Sequence, residues 1–183
     1  LGSMALDLFA VFFGGAIAML PVFASDILHV GPFGLGVLRT APSVGALSAM
    51  LVTTRFAPRR RAGPILLTSV AVFGVSMLVF GFSTSFLLSL AALFVSGVAD
   101  GISVVIRMVI LRVESPEAMR GRIASVNYVF IGASNELGAF ESGVAAALFG
   151  VVPSIVGGGL ITLGVVGAVA VFAPKLRRLD LGE

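Results

Sequence analysis

Residues 64–82, PILLTSVAVFGVSMLVFGF, form an apolar run without a charged side chain. Its length is close to the roughly 20 residues that an α-helix needs to cross a hydrocarbon core of about 30 Å. Five further segments of similar length and character occur, at roughly 3–24, 34–54, 86–107, 122–149 and 154–173. A strand of a membrane barrel would instead alternate in polarity over about 10 residues. The sequence therefore predicts an all-α polytopic membrane protein with six transmembrane helices.

The composition supports this class and excludes several kinds of site. Hydrophobic residues make up 58% of the 183 residues and charged residues only 11%, whereas soluble domains carry about 25% charged residues. The chain has no cysteine and a single histidine, His29. Disulfides and thiolate metal sites are therefore excluded, and a zinc site or a Ser–His catalytic pair is disfavoured. We expect no cofactor and no metal ion.

The basic residues indicate the topology. Ten of the twelve lie in two alternate breaks between the apolar segments and in the C-terminal tail: Arg55, Arg59, Arg60 and Arg61 in the first break, Arg112, Arg120 and Arg122 in the second, and Lys175, Arg177 and Arg178 in the tail. The breaks at 26–34, 83–85 and 150–154 contain no lysine or arginine. The positive-inside rule makes the basic breaks and both termini of this chain cytoplasmic. The isoelectric point near 10.6 thus reflects topology and not nucleic-acid binding.

Ionisable residues inside membrane spans are functional candidates, the alternatives being structural ion pairs and snorkelling near an interface. Asp7 is near the cytoplasmic end of the first span, and both interpretations stay open for it. Asp100 is about two-thirds of the way across the fourth span, which favours function. Arg107 follows seven residues later, about 10 Å along the axis; we expect no direct contact, but different neighbours or a bridging water. Arg39, near the outer face, could snorkel, attract an anion or pair with Glu141.

The fifth span contains two carboxylates within SVNYVFIGASNELGAFESG, residues 125–143. Glu136 lies roughly 21 Å from its inner end, near mid-membrane, and Glu141 lies in the outer third. At about 100° per residue, one helix face carries four small or polar residues, Asn127, Ser134, Gly138 and Glu141. Glu136 points about 140° away from Glu141, and Asn135 also lies off that stripe. We expect one face to line a polar path and the other to fix the helix in its bundle, and the sequence leaves open which does which.

Two local patterns predict packing and a helix start. Gly97 and Gly101 form a small-xxx-small pair, which allows close approach of helix backbones. Ser115, Pro116 and Glu117 have the order of an N-cap, a first position and an acidic first turn, which predicts a short surface helix over 116–120.

Three segments carry a family resemblance: LDLFAVFFGGAIAMLPVFA at 6–24, the arginine-rich RFAPRRRAG at 55–63, and SPEAMRGRIASVNYVFIGASNELGAFESG at 115–143. With the six spans, they resemble the C-terminal half of a major facilitator superfamily transporter, in the branch of the enterobactin exporters. The resemblance covers essentially the whole chain. It implies that residues 1–183 are one six-helix bundle, helices seven to twelve of a twelve-helix fold whose N-terminal half is absent.

The resemblance further implies efflux of a siderophore or another small amphipathic molecule by proton-coupled alternating access, with the substrate path between the halves. Its partners would be the lipid bilayer, a small-molecule substrate, protons and the missing half. Candidates for substrate binding or proton coupling are Asp7, Arg39, Asp100, Asn127, Ser134, Asn135, Glu136 and Glu141. Candidates for a cytoplasmic gate are Arg59, Arg60, Arg61, Arg107, Arg120 and Arg122.

An intramembrane enzyme and a non-transporting scaffold are the two alternatives to a transporter, and each predicts a different observation. An intramembrane enzyme would need a nucleophile–base pair or a metal cluster at membrane depth, and no HExxH or HxxxD pattern occurs. A non-transporting scaffold or assembly subunit would retain partner binding when its embedded carboxylates are neutralised. The sequence thus predicts a protein that is not an enzyme, with a scaffold as the alternative to a transporter.

Overall fold

The computed structural model describes residues 17–55, 62–114 and 119–172, and the regular structure in these ranges is entirely helical. Six helices occur in this part of the chain: α1 Leu20–Asp26, α2 Pro32–Arg55, α3 Ala62–Phe82, α4 Phe86–Glu114, α5 Arg120–Phe149 and α6 Val151–Phe172. Helices α2 to α6 coincide with the last five predicted spans, and the all-α prediction is confirmed. Most of the first predicted span, and the predicted helix start at 115–117, lie outside the described residues.

Four of the described helices are long and apolar enough to cross a membrane: α2, α3, Phe86–Ile110 of α4 and Val151–Val171 of α6. The chain is therefore a polytopic membrane protein. Helix α5 has 30 residues and is long enough, but it is not among the four described helices that meet both conditions. Asn135, Glu136 and Glu141 lower its hydropathy, and its membrane crossing stays a prediction.

The connections beside α4 and α5 are very short. Ser83–Ser85 joins α3 to α4, and the Ser83 hydroxyl closes this turn by donating to the Ser85 carbonyl oxygen at 3.0 Å. Gly150 alone separates α5 from α6, with a φ of 94° that favours glycine. The second connection is shorter than predicted, because Val151 already begins α6 and Pro153 lies inside its first turn. Such short connections make consecutive helices antiparallel neighbours.

Packing places the long helices in a series. Helix α2 packs along α4, α4 along α3, α3 along α6, and α6 along α5, while α1 contacts α2 and α6. Helix α5 is therefore at one end of the series, with α6 as its main neighbour among the described helices. This position leaves much of its surface exposed.

Two apolar clusters hold the series together. In the first, the Phe23 ring of α1 lies 4.4 Å from the Phe80 ring of α3, centroid to centroid, and the cluster also includes Leu38 of α2, Leu93 of α4 and Ile155 of α6. The second joins the beginning of α3 to the end of α4 and includes Leu66, Val70, Ile106 and Ile110, among others.

Six buried serines lie at the contact between α3 and α4, in two sets spaced by seven residues: Ser69 and Ser76 on α3 with Ser83 in the turn after it, and Ser89, Ser96 and Ser103 on α4. We call them the serine repeat. The Ser89 hydroxyl donates to the Ser83 hydroxyl oxygen at 2.9 Å. The same antiparallel register places Ser76 opposite Ser96 and Ser69 opposite Ser103. Small hydroxyl side chains allow close approach of helices in lipid, where apolar burial gives no driving force.

Candidate functional site

Asp100 and Arg107 of α4 form an ion pair, with 3.9 Å between Arg107 Nη2 and Asp100 Oδ1. The Arg107 side chain is 14% exposed and that of Asp100 is 50% exposed. The expectation that axial rise keeps these groups about 10 Å apart is wrong, whereas the bridging-water alternative stays a prediction, because 3.9 Å is longer than a direct hydrogen bond. Side chains on a helix point toward its N-terminus, and the long arginine side chain therefore reaches back over two turns to Asp100.

The pair lies on the side of α4 that is turned toward the other helices. Leu93, seven residues before Asp100, shares its face at helical spacing and is fully buried in the cluster around Phe23. The opposite face of α4 carries exposed apolar residues, including Val95 and Val109. The charges are thus kept off the apolar outer surface, as expected for ionisable groups at membrane depth.

Close contact between α2 and α4 fixes the orientation of that face. A Cβ atom added at Gly97 would meet the Pro42 carbonyl oxygen, and one added at Gly101 would lie 2.8 Å from the Ala46 carbonyl oxygen. From the first contact to the second, each helix advances by four residues in the same direction, which shows that α2 and α4 are parallel. The prediction that Gly97 and Gly101 serve helix packing is confirmed.

Helix α5 separates its polar residues into a packed face and an open face. Ser134 and Gly138 are buried, and the Ser134 hydroxyl donates to the Phe130 carbonyl oxygen at 2.7 Å. Glu141 is half-buried, and it accepts a long 3.5 Å hydrogen bond from the Ser142 hydroxyl. The stripe predicted from these positions is therefore the packed face. Asn127 belongs to this helix, but its side chain lies outside the described part of the structure.

Asn135 and Glu136 lie on the open face of α5, where both are exposed. Their surroundings along the helix are apolar, with Val129 68% exposed and Phe140 72% exposed. A carboxylate among exposed apolar side chains at membrane depth is costly when it faces lipid.

The other candidates are spread over the molecule. Arg39 is exposed on α2 and makes no ion pair with Glu141 in the described structure. The register of α2 on α4 sets it about 9 Å from the level of Asp100 along the helix axis. Arg122 is exposed at the start of α5. Asp7, Arg59, Arg60 and Arg61 lie outside the described residues, and so does the side chain of Arg120.

Sequence reasoning missed the serine repeat, although its seven-residue spacing is visible in the sequence. It also gave no role to a shallow groove of about 450 Å³ on the outside of α3 and α4. Val72, Val75, Leu88 and Val95 line this groove with other small residues. None of the predicted site residues contributes to it, and its apolar lining suits no charged ligand.

The chain has sequence similarity to a known efflux pump. No family model matches the chain. The chain is similar to the multidrug efflux pump Tap of Mycolicibacterium fortuitum, with 32% identity over 155 residues. The match covers 83% of this chain and 37% of the pump. The chain thus spans well under half the length of this curated relative.

Proposed function

We propose that this chain is the C-terminal six-helix half of a secondary active exporter of the major facilitator type. In this proposal the complete protein moves a small siderophore-like or drug-like molecule outward across the bacterial inner membrane in exchange for protons. The observation that carries the proposal is the 32% identity with a multidrug efflux pump over most of the chain. A match over 37% of that pump is what a six-helix portion of a longer transporter would give.

The open face of α5 supports the need for further helices. Glu136 and Asn135 are exposed at a level where the complete protein would meet hydrocarbon. Embedded ionisable residues almost always face a bundle interior or a water-filled cavity. A second six-helix half packed against α5, with a polar path between the halves, would give both residues such a setting.

Each group of candidate residues has a role in the proposal. Asp7, Asp100 and Glu136 bind and release protons, while Arg39 and Asn135 contact substrate or line its path. The stripe that includes Asn127, Ser134 and Glu141 holds α5 in its bundle. Arg59, Arg60, Arg61, Arg107, Arg120 and Arg122 make cytoplasmic contacts that form in one state and break in the other. A first test should substitute Asp100 and Glu136, because both carboxylates are exposed in the described structure.

The test is efflux by the full-length parent protein in bacteria that lack their own major exporters. Preloaded ethidium and a catecholate siderophore serve as two probes, with and without a protonophore. We expect protonophore-sensitive efflux of at least one probe. Glu136→Gln and Asp100→Asn should each lower its rate about tenfold or more at equal expression, since each removes a proton-binding group.

Thr68→Val is the control, because Thr68 is exposed on α3 and its hydroxyl bonds only carbonyl oxygens of its own helix. Wild-type rates in both carboxylate variants would remove Asp100 and Glu136 from coupling. A full-length protein that transports neither probe, yet retains a stable membrane partner after both substitutions, would favour the scaffold function instead.

A further inference from the structure

Ser103 of α4 is a buried hydroxyl without a hydrogen-bond partner among the described residues. Its side chain is only 2% exposed. Other members of the serine repeat do have acceptors: Ser69 donates to the Ile65 carbonyl oxygen and Ser96 to the Leu93 carbonyl oxygen. An unsatisfied buried hydroxyl is destabilising, and such groups in folded proteins are commonly met by an ordered water molecule.

The position of Ser103 relates it to the ion pair on the same helix. Ser103 follows Asp100 by three residues and precedes Arg107 by four, and such spacings make neighbours on a helix surface. The Arg107 side chain must cross the turn that carries Ser103 before its guanidinium comes within 3.9 Å of Asp100. Three polar groups are therefore close together at one level of the membrane span.

The length of the ion pair leaves space for a bridging molecule. A direct hydrogen bond between a guanidinium and a carboxylate has a length of about 2.7–2.9 Å, and the observed 3.9 Å exceeds it. Two hydrogen bonds of about 2.8 Å that meet at roughly 90° on one oxygen atom span this distance. A polar contact across more than about 3.5 Å is long enough for a water molecule to bridge it.

We propose that Ser103, Asp100 and Arg107 form a binding site for one water molecule inside the α4 span. The water accepts hydrogen bonds from Arg107 Nη2 and from the Ser103 hydroxyl, and it donates one to Asp100 Oδ1. Three partners are the usual number for a buried water. Ser103 is then a positioning residue, which holds the water and through it the spacing of the ion pair.

The site has a consequence that rests on the proposed function. A carboxylate that exchanges protons during transport needs a hydrogen-bonding neighbour in both of its protonation states. The bound water donates a hydrogen bond to ionised Asp100. Neutral Asp100 donates its own O–H to the water, which then accepts from Asp100 and Arg107 and donates to the Ser103 hydroxyl oxygen, so that Asp100 is hydrogen-bonded in both protonation states.

Thermal unfolding of the purified full-length parent protein tests the site without any use of transport. Ser103→Ala is compared with Ser96→Ala, a matched control on the same helix that is equally buried but donates to its own backbone. We expect Ser103→Ala to lower Tm by about 2 °C or more beyond the control, and Ser103→Thr to restore most of the loss. In an Asp100→Asn background, the effect of Ser103→Ala should shrink, since both residues bind the same water.

The opposite results overturn the proposal. A dry unpaired hydroxyl predicts that Ser103→Ala leaves Tm unchanged or raises it, because alanine removes an unsatisfied polar group. Strict additivity with Asp100→Asn would show that Ser103 acts independently of the ion pair.

A structure of the full-length protein at roughly 2 Å, where ordered waters are visible, should show density within hydrogen-bond distance of all three groups. A direct Asp100–Arg107 hydrogen bond with no intervening density would contradict the site. Because no readout uses transport, its failure is distinguishable from failure of the exporter proposal.

Discussion

Gly97 of α4 lies directly against the carbonyl oxygen of Pro42 in α2, with no space for a Cβ atom between them. The same helices meet one turn further on, at Gly101 and Ala46. This backbone contact holds α2 and α4 parallel and fixes which face of α4 carries Asp100. The orientation of a candidate proton-binding residue therefore depends on two glycines that bind nothing themselves.

Gly97→Ala should destabilise the protein, because its new methyl group would collide with backbone that cannot move independently of α2. Overpacking of this kind costs about 1–3 kcal/mol. Gly164→Ala in α6 is the matched control, since nothing lies within 4 Å of a Cβ added there, and alanine favours helix by up to about 1 kcal/mol. Thermal unfolding of the purified protein measures both. Equal melting temperatures for the two variants would contradict the close contact.

Single cysteines on α5 should distinguish its open face from its packed face. The chain has no native cysteine and gives no background of its own. Asn135→Cys should react with a hydrophilic maleimide in intact membranes, because Asn135 is exposed on the face expected to border a polar path. Ser134→Cys should react at least tenfold more slowly, since Ser134 is 5% exposed. Similar rates at both positions, or reaction of Asn135→Cys only with a lipophilic reagent, would argue against a wet open face.

Removal of one partner of the ion pair should destabilise the protein more than removal of both. Arg107→Gln leaves the Asp100 carboxylate without its cation in a membrane span, which we expect to cost about 1–3 kcal/mol. The double variant Asp100→Asn, Arg107→Gln retains neutral polar groups and should recover most of that stability. Melting temperatures of the two variants and of Asp100→Asn make the comparison. A double variant less stable than Arg107→Gln alone would contradict a coupled pair.

The hydrogen bond between Ser83 and Ser89 should contribute modestly to the α3–α4 contact. Interhelical hydrogen bonds in membrane proteins contribute about 0.6 kcal/mol on average. Ser89→Ala should lower stability by about this amount, and Ser83→Ala somewhat more, because Ser83 also closes the turn at Ser85. In the double variant the Ser89 substitution should add little, since its partner is already lost. Ser125→Ala, at an exposed position whose hydroxyl donates to Gly121 of its own helix, should be nearly neutral, and a fully additive double variant would exclude a shared bond.

Much of the site could be proposed from the sequence, but not its contacts. The embedded positions of Asp100 and Glu136 follow from charged residues within long apolar runs, and the packing role of Gly97 and Gly101 follows from their spacing. The close approach of Arg107 to Asp100 did not follow, because axial rise alone neglects the reach of an arginine side chain toward the helix N-terminus. The seven-residue spacing of the serine repeat is also visible in the sequence, but its packing role was not predicted.

The sequence by itself determined the class of protein and the approximate positions of its long helices, because hydrocarbon admits only segments that satisfy their backbone internally and are apolar over a fixed length. It also determined the two polar faces of α5, since helical periodicity sets angles between residues on one helix. Only the tertiary structure decided which face is packed: Ser134 and Gly138 are buried and Glu136 is exposed. Periodicity relates residues within a helix, whereas burial depends on which neighbours that helix meets. Helix α5 lies at the end of the helix series, and its main neighbour among the described helices is α6.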